Sequence, residues 1–274
     1  MQDVVGAQIG FCPVKTEKET AGRGVCAVIP TYNNAGTLAD VVERTLVYCP
    51  DVIVVDDGST DDTAMVLAGF GDRITVCTHQ SNRGKGQALL TGFRQAAKAG
   101  MTAVVTLDSD GQHDPGDIPL LVARHMESPS AIIVGSRDIQ ARNMPGKNTF
   151  ANRFSNFWFR LQTGVALPDT QTGFRLYPLK AIYGGRFLTS RYEAELELLV
   201  LASWHGVEIL PCPVQVYYPP EGERVTHFRP FMDFARISVL NTVLCFLAVV
   251  YGMPLRAGRW FSGLLSKKTG GNGK

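Results

Sequence analysis

The sequence predicts an α/β protein: a mainly parallel sheet flanked by helices, with an apolar helix added near the C-terminus. Three observations predict it. Short runs such as VCAVIP (25–30), VIVV (52–55), AVVTL (103–107) and AIIVG (131–135) are apolar throughout and alternate with stretches of helical spacing. Strands apolar on both faces belong to a sheet covered on both sides, which is the habit of parallel sheets. Nearly every such run ends in polar residues, and residues 237–255 are apolar apart from Ser238, Asn241 and Thr242.

Residues 1–23 show no clear period and read as an arm, without the basic start and apolar stretch of a secretory signal. The first strand spans 25–30 and ends at Pro30. Leu38, Val41, Val42, Thr45 and Leu46 then recur at helical spacing over 35–47. DVIVVDD (51–57) is a second strand, followed by a short helix over 61–70 with Asp61 and Asp62 at its positive end. RITVCTH (73–79) is a third strand. A helix over 87–100 puts Ala88, Leu89, Gly92, Phe93 and Ala96 on one face and closes at Gly100. Strands over 102–110 and 131–137 follow. Residues 148–161 line up Phe150, Phe154, Phe157, Trp158 and Leu161 on one stripe, which suits a core-facing helix and a membrane-interface helix equally. A loop over 168–178, a helix over 191–206 and a marginal strand over 207–218 complete the body.

With 274 residues, 45% of them hydrophobic, the chain carries enough apolar material for a sizeable core, which excludes wholesale disorder. A net charge of +2 argues against a dedicated nucleic-acid binder. The six cysteines form no C-x-x-C pair, and four of them lie in or beside apolar runs, so a reducing setting is expected. From residue 221 onward, eight Lys or Arg face three Asp or Glu. The apolar stretch from Ile237 to Pro254 falls near the lower limit for spanning a bilayer, and basic residues on both sides suit an anionic membrane surface. A core helix is the alternative reading.

Parallel sheets bind ligands beyond the carboxyl ends of their strands. Thr31-Tyr32-Asn33, Asp56-Asp57-Gly58, Asp108-Ser109-Asp110 and Arg137-Asp138 all end strands and therefore meet on one edge. Asp108 and Asp110, with Gln112 two residues on, form an oxygen donor set that suits Mg²⁺ or Mn²⁺. His113 reads as a local hydrogen-bonding residue. Asp57 in Val55-Asp56-Asp57-Gly58-Ser59 is able to accept from a base N–H or a ribose hydroxyl, while Ser59 or Thr60 would cap the next helix. Asn82-Arg83-Gly84-Lys85-Gly86 looks phosphate-binding yet is not a P-loop, and G-x-G-x-x-G is absent after the first strand.

These pieces, with Val28-Ile29-Pro30-Thr31-Tyr32-Asn33, Gly135-Ser136-Arg137 and Asp169-Thr170-Gln171-Thr172-Gly173-Phe174-Arg175, occur in order over about 24–236. The set resembles the family 2 glycosyltransferases, and among them the dolichyl- or polyprenyl-phosphate sugar synthases. The resemblance implies a GT-A domain over 24–220, an acceptor loop and membrane-associated helix over 221–260, and a disordered tail over 261–274. It implies that Pro30, Tyr32, Val55 and Asp57 line the base and ribose site, joined by Lys85. Asp108, Ser109 and Asp110 would reach the ribose and diphosphate, with Asp110 and Gln112 on the metal. Arg137 and Arg153 would neutralise phosphates; Asp169, Arg175, His227 and Arg229 would shape the acceptor side. Asn34 stands where the family usually has Glu.

The function so implied is inverting, metal-dependent transfer of a hexose from a nucleoside-diphosphate sugar to a lipid phosphate at the cytoplasmic face of a membrane. The cation and arginines would stabilise the departing nucleoside diphosphate. A phosphate acceptor needs no general base. A hydroxyl acceptor needs one, with Asp169 the first candidate and Glu195 the second. The rival readings are transfer to a hydroxyl of a glycan or other lipid, and a catalytically silent nucleotide-sugar module. Intact Asp108, Asp110, Gln112 and Arg137 speak against the silent module.

Overall fold

The structure, a computed structural model, describes residues 24–137, 146–182, 189–191, 193–217 and 230–259, with side chains omitted over 146–151 and 230–235. The expected arm at 1–23, the tail at 261–274 and the loop bearing His227 and Arg229 lie outside the described residues.

Seven strands form one sheet in the order β3-β2-β1-β4-β6-β5-β7. They are β1 (Val25–Thr31), β2 (Val52–Asp56), β3 (Thr75–Thr78), β4 (Ala103–Thr106), β5 (Ile132–Ser136), β6 (Arg175–Pro178) and β7 (Ile209–Pro213). All pairings are parallel except those of β6, which runs antiparallel to both β4 and β5. The expectation of a mainly parallel sheet with a late marginal strand holds. One strand was hidden: β6 lies inside the stretch 168–178 that reads as a loop. It is four residues long, begins with Arg and ends with Pro, so it shows neither alternation nor a clean apolar run.

The helices are α1 (Ala35–Tyr48), α2 (Thr63–Ala68), α3 (Lys85–Lys98), α4 (Ile118–Glu127), α5 (Gly146–Thr163), α6 (Glu193–Trp204) and α7 (Pro230–Leu247). Alternate strand residues feed two cores, one on each face of the sheet. Val25, Ala27 and Ile29 pack with Leu38 and Val42 of α1 and Leu121 of α4. Cys26 and Val28 pack with Leu89 and Phe93 of α3, Phe159 of α5, Leu199 of α6 and Leu240 of α7. Helix α3 comes so near the sheet that a Cβ on Gly92 would meet Val28 Cγ1 at 2.4 Å. The five described cysteines are all free thiols, and burial pushes Cys26 up to about 12.

Helix α7 runs through a π-turn at Ala248–Gly252 and stays helical to Arg259. The two alternatives for this stretch turn out to be compatible. One stripe, Leu240, Asn241, Leu244 and Ala248, is buried in the core. The other stripe, Val239, Val243, Phe246, Val250 and Met253, is exposed. Gln162 Nε2 donates to Asn241 Oδ1 at 3.0 Å, and the backbone of Gly252 packs against Trp204. The same split holds in α5, where Phe159 is fully buried while Phe157 and Leu161 are exposed.

Candidate active site

The carboxyl ends of β1, β2, β4 and β5 lie on one edge, as the strand-end pattern predicts. The sheet order changes direction between β1 and β4, so a crevice opens between the loop after β1 and the loop after β4. Because β6 is reversed, the segment that precedes it, 168–174, arrives at this same edge.

The loop after β1 is held by neighbours. Asn33 adopts a left-handed φ of 52°, a conformation Asn tolerates. Its side-chain oxygen accepts from Thr60 N at 2.8 Å, and its own N–H donates to Ser59 Oγ at 2.9 Å. Asn34 Nδ2 donates to Ser109 Oγ at 2.8 Å, which ties the β1 and β4 loops across the crevice. The Asn34 side-chain oxygen Oδ1 is buried with no partner among the described residues. Tyr32 is half-buried in the same loop, and Pro30 is buried in β1 opposite Val55. Val55 corrects an expectation: it is fully buried in the core, so its side chain lines no open site.

Asp57 is a second correction. Its carboxylate is buried and accepts from Arg83 N at 2.9 Å, Gly84 N at 2.7 Å and His79 Nδ1 at 2.6 Å. It therefore binds the Asn82–Gly86 loop to the end of β2. Two of the backbone N–H groups that a phosphate would use in that loop are taken by Asp57. Gly84 is needed where it stands: its φ is 94°, and a Cβ would meet Ser190 O at 2.4 Å.

Lys85, the first residue of α3, reaches into the crevice. Its ammonium lies 2.6 Å from Asp108 Oδ1 and 2.7 Å from Glu195 Oε2. The paired carboxylates raise its pKa against the opposing effect of burial. A Cβ on Gly173 would meet Asp108 Oδ2 at 2.7 Å and Lys85 Nζ at 2.8 Å, so glycine there lets the pair close. Glu195 Oε1 is buried without a partner.

Asp110 stands beside this pair and, among the described residues, forms no ion pair of its own. Gln112 donates to it twice, from its backbone N at 3.0 Å and from Nε2 at 2.9 Å. Burial first, and then the charge of Asp108, push Asp110 up to about 6. Two carboxylates that crowd one another are an electrostatic demand for a cation, and carboxylates with an amide oxygen are hard ligands that fit Mg²⁺ or Mn²⁺. Among the described residues no group of three His, Cys, Asp or Glu comes together to hold an ion. A metal here would thus need further oxygens from water or a phosphate ligand. His113 is buried, stacks on Phe174 and is pushed down to about 4, chiefly by burial. Its neutral Nδ1 accepts from Asp108 N at 3.3 Å, in keeping with the local role expected.

The opposite wall is built from Asp169. This fully buried carboxylate takes both Nε and Nη2 of Arg137, the latter at 2.9 Å. It also accepts from Asn152 Nδ2 at 2.8 Å and Gln171 N at 3.0 Å. Burial opposes ionisation, but the Arg137 guanidinium prevails and holds Asp169 below the usual carboxylate range. Arg175 corrects a third expectation. It is fully buried beneath the loop and donates to the carbonyl oxygens of Thr172 at 2.7 Å, Thr170 at 2.9 Å and Glu195 at 2.8 Å, and to Tyr177 Oη at 3.0 Å. It shapes the 168–174 loop from inside and offers nothing to an acceptor. Arg153 is exposed on α5.

Sequence reasoning missed the polar stripe of α5. Asn152 grips Asp169, Ser155 Oγ lies 2.7 Å from Thr170 Oγ1, and Asn156 donates to Pro168 O at 2.7 Å while accepting from Thr170 N at 3.0 Å. The signal was present, since three polar residues at positions 152, 155 and 156 share one face opposite the aromatic stripe.

Comparisons with known proteins agree with this architecture. The family model described as glycosyl transferase family 2 matches residues 26–183. The chain is 27% identical over 72% of its length to a UDP-N-acetylglucosamine–dolichyl-phosphate N-acetylglucosaminyltransferase of Methanococcus voltae, covering 87% of that protein. It is 32% identical over 55% of its length to a polyprenol monophosphomannose synthase of Mycolicibacterium smegmatis, covering 60% of that protein. The fold is similar to that of glucosyl-3-phosphoglycerate synthase from Mycobacterium tuberculosis, solved with Mn²⁺ and UDP, at a TM-score of 0.61 and 21% identity, with 87% of this chain and 86% of that one covered.

Proposed function

The chain belongs to glycosyltransferase family 2, and on that premise we propose that it moves a hexose, with inversion, from a nucleoside-diphosphate sugar to a polyprenyl-phosphate-like lipid. The observation that carries the acceptor class is the state of the two candidate bases. Asp169 is bound by Arg137 and Glu195 by Lys85, so neither is poised to take a proton. An acceptor that arrives as an anion needs no such base. It needs a cation, and Arg137 stands at the crevice to supply one. The names of the relatives, which specify dolichyl and polyprenol phosphates, support the same choice.

In this reading the donor lies across the ends of β1, β2 and β4. Tyr32, Asn34 and the Pro30 backbone meet the base and ribose, aided by the loop that Asp57 organises. Asp108 and Ser109 face the ribose and diphosphate. Asp110 and Gln112 hold Mg²⁺ or Mn²⁺, which when bound supplies positive charge to the leaving diphosphate. Lys85 adds a further cation beside Asp108. Arg137, kept in plane by Asp169, orients the acceptor phosphate, and Arg153 is a further cation for that side. Catalysis is then positioning and charge stabilisation rather than proton transfer.

The acceptor is brought by a membrane. Arg236–Arg259, 24 residues, is the one helix among the described residues long and apolar enough to cross a bilayer. Its docked stripe argues for lying on the cytoplasmic face with Val243, Phe246 and Val250 in the lipid, together with Phe157 and Leu161 of α5. Burying such side chains is worth roughly 1.5–3 kcal/mol each.

A donor screen with Mn²⁺ against polyprenyl phosphate and against the dephosphorylated polyprenol tests the acceptor class. Transfer to the phosphate alone is expected. Transfer to the alcohol at a comparable rate would favour the hydroxyl-acceptor reading instead. The pair Phe246→Asp and Val250→Asp should abolish binding to anionic vesicles while leaving the melting temperature unchanged.

A further inference from the structure

We propose that Asn152 is a positioning residue for the transfer reaction: it holds Asp169 so that Arg137 faces the crevice in one orientation. The inference rests on the reading of Arg137 as the cation that orients the acceptor phosphate.

Three observations carry it. Asn152 is fully buried on α5, and its Nδ2 donates to Asp169 Oδ1 at 2.8 Å. That same oxygen accepts from Arg137 Nη2 at 2.9 Å and from Gln171 N at 3.0 Å, so Asn152 completes its coordination. Finally, the Asn152 side-chain oxygen Oδ1 is buried with no hydrogen-bond partner among the described residues. An ionised carboxylate accepts only, so Asp169 dictates which end of the amide faces it and leaves the carbonyl facing away. An asparagine that only filled space or braced the helix would not need to aim its N–H group at a carboxylate and leave its oxygen without a protein partner among the described residues. The unsatisfied oxygen is the cost of aiming the N–H group at Asp169.

The consequence is geometric. A bidentate pair fixes the plane of a guanidinium, but only if the carboxylate is itself fixed. Asp169 sits at the head of a loop, and the Gln171 contact is local to that loop. Asn152 is the side-chain anchor from outside it, on a helix also tied to the loop through Ser155 and Asn156. Rotation of Asp169 would turn Arg137 with it and misalign an acceptor oxyanion against the anomeric carbon.

The test compares wild type with Asn152→Ala and Asn152→Asp, as full-length protein in vesicles. Donor affinity is followed by calorimetry with UDP and Mn²⁺, turnover by sugar transfer, and Arg137 by the NMR signal of its Nε–H, identified by its loss in Arg137→Lys. For Asn152→Ala the expected result is an unchanged donor affinity, a melting temperature within a few degrees of wild type, turnover reduced at least tenfold, and a broadened or shifted Arg137 signal. For Asn152→Asp the introduced carboxyl repels Asp169 when ionised and donates to it when protonated. Its turnover relative to wild type at the same pH should therefore recover as pH falls from 8 to 5. A brace without a positioning role predicts no such recovery. Turnover within twofold of wild type in Asn152→Ala, with the Arg137 signal unmoved, would overturn the proposal. If wild type transfers to no lipid phosphate, the acceptor reading fails, and the Arg137 signal in Asn152→Ala still decides the role of Asn152.

Discussion

Asp110 and Asp169 are the same side chain at opposite walls of one crevice, and their surroundings push them in opposite directions. Asp110 is desolvated beside Asp108 and stands at about 6. Asp169 is more deeply buried, yet a bidentate guanidinium keeps it below the usual range. Burial alone would raise both. The difference is the partner each carboxylate holds: Asp169 is gripped by a bidentate guanidinium, whereas among the described residues Asp110 forms no ion pair and Lys85 is spent on Asp108 and Glu195.

The contrast breaks most visibly if the resident cation is removed. Arg137→Ala strands a fully buried carboxylate, and the loss of one partner of such a pair costs about 3–5 kcal/mol. Chemical unfolding should register that loss. Asp110→Asn removes a desolvated charge that forms no ion pair among the described residues, so in metal-free protein the same measurement should show no loss, or a gain. A loss of similar size in both variants would erase the distinction.

Activity should order the two walls differently. Asp110→Asn keeps the shape but weakens the metal site, and turnover should fall at least tenfold, about 1.4 kcal/mol of barrier. Excess EDTA should do the same to wild type; full turnover in EDTA would rule out the metal role.

The pH dependence of stability carries opposite signs for the two residues. Asp110, raised, is a burden that grows as pH climbs from about 4 toward 6 and above. Asp169, lowered, contributes stability that is present above the ordinary carboxylate pKa and lost as pH falls through its own depressed value. Measured as the difference from Asp110→Asn, so that the opposing contribution of His113 at about 4 cancels, metal-free wild type should gain stability on going from pH 7 to 5. The apparent affinity for Mn²⁺ should fall as pH drops below about 6, because the ion must displace a proton from Asp110.

The smallest effect is expected at Gln112. Its amide steadies Asp110, so Gln112→Ala should weaken Mn²⁺ binding a few-fold in a calorimetric titration, with donor-free stability unchanged.

Much of the donor wall was legible in the sequence, because strand-end residues of a parallel sheet must share an edge. Asp108, Asp110, Gln112 and Arg137 follow from that rule alone. What the rule does not convey is whether a polar side chain at that edge faces solvent or the interior. Asp57 and Arg175 look like ligand residues in the chain and are framework: one holds backbone N–H groups, the other backbone carbonyls. Burial of a charged group is a property of tertiary packing, and a loop motif carries no sign of it. Helix α4 and strand β6 escaped notice for local reasons. IPLLVARHME is ten residues long with a proline as its second residue, and RLYP is too short to display a period. Asn152 escaped because its partner lies 17 residues away on a different element.

The reversed course of β6 has a consequence for how this molecule is able to vary. Every donor-side loop follows a strand and is bounded by residues before 114. The loop that carries Asp169 precedes a strand and is tethered to α5 instead. The two walls of the crevice are thus spelled by separate, consecutive stretches of chain that meet only at the sheet edge. Substitutions over 146–172 alter one wall without disturbing the register of β1, β2 or β4, whereas Gly173 packs on Asp108 and Lys85 and belongs to both walls. Under the proposed function, such a division permits the same nucleotide half to be combined with different acceptor halves, in the way a tool handle takes interchangeable heads.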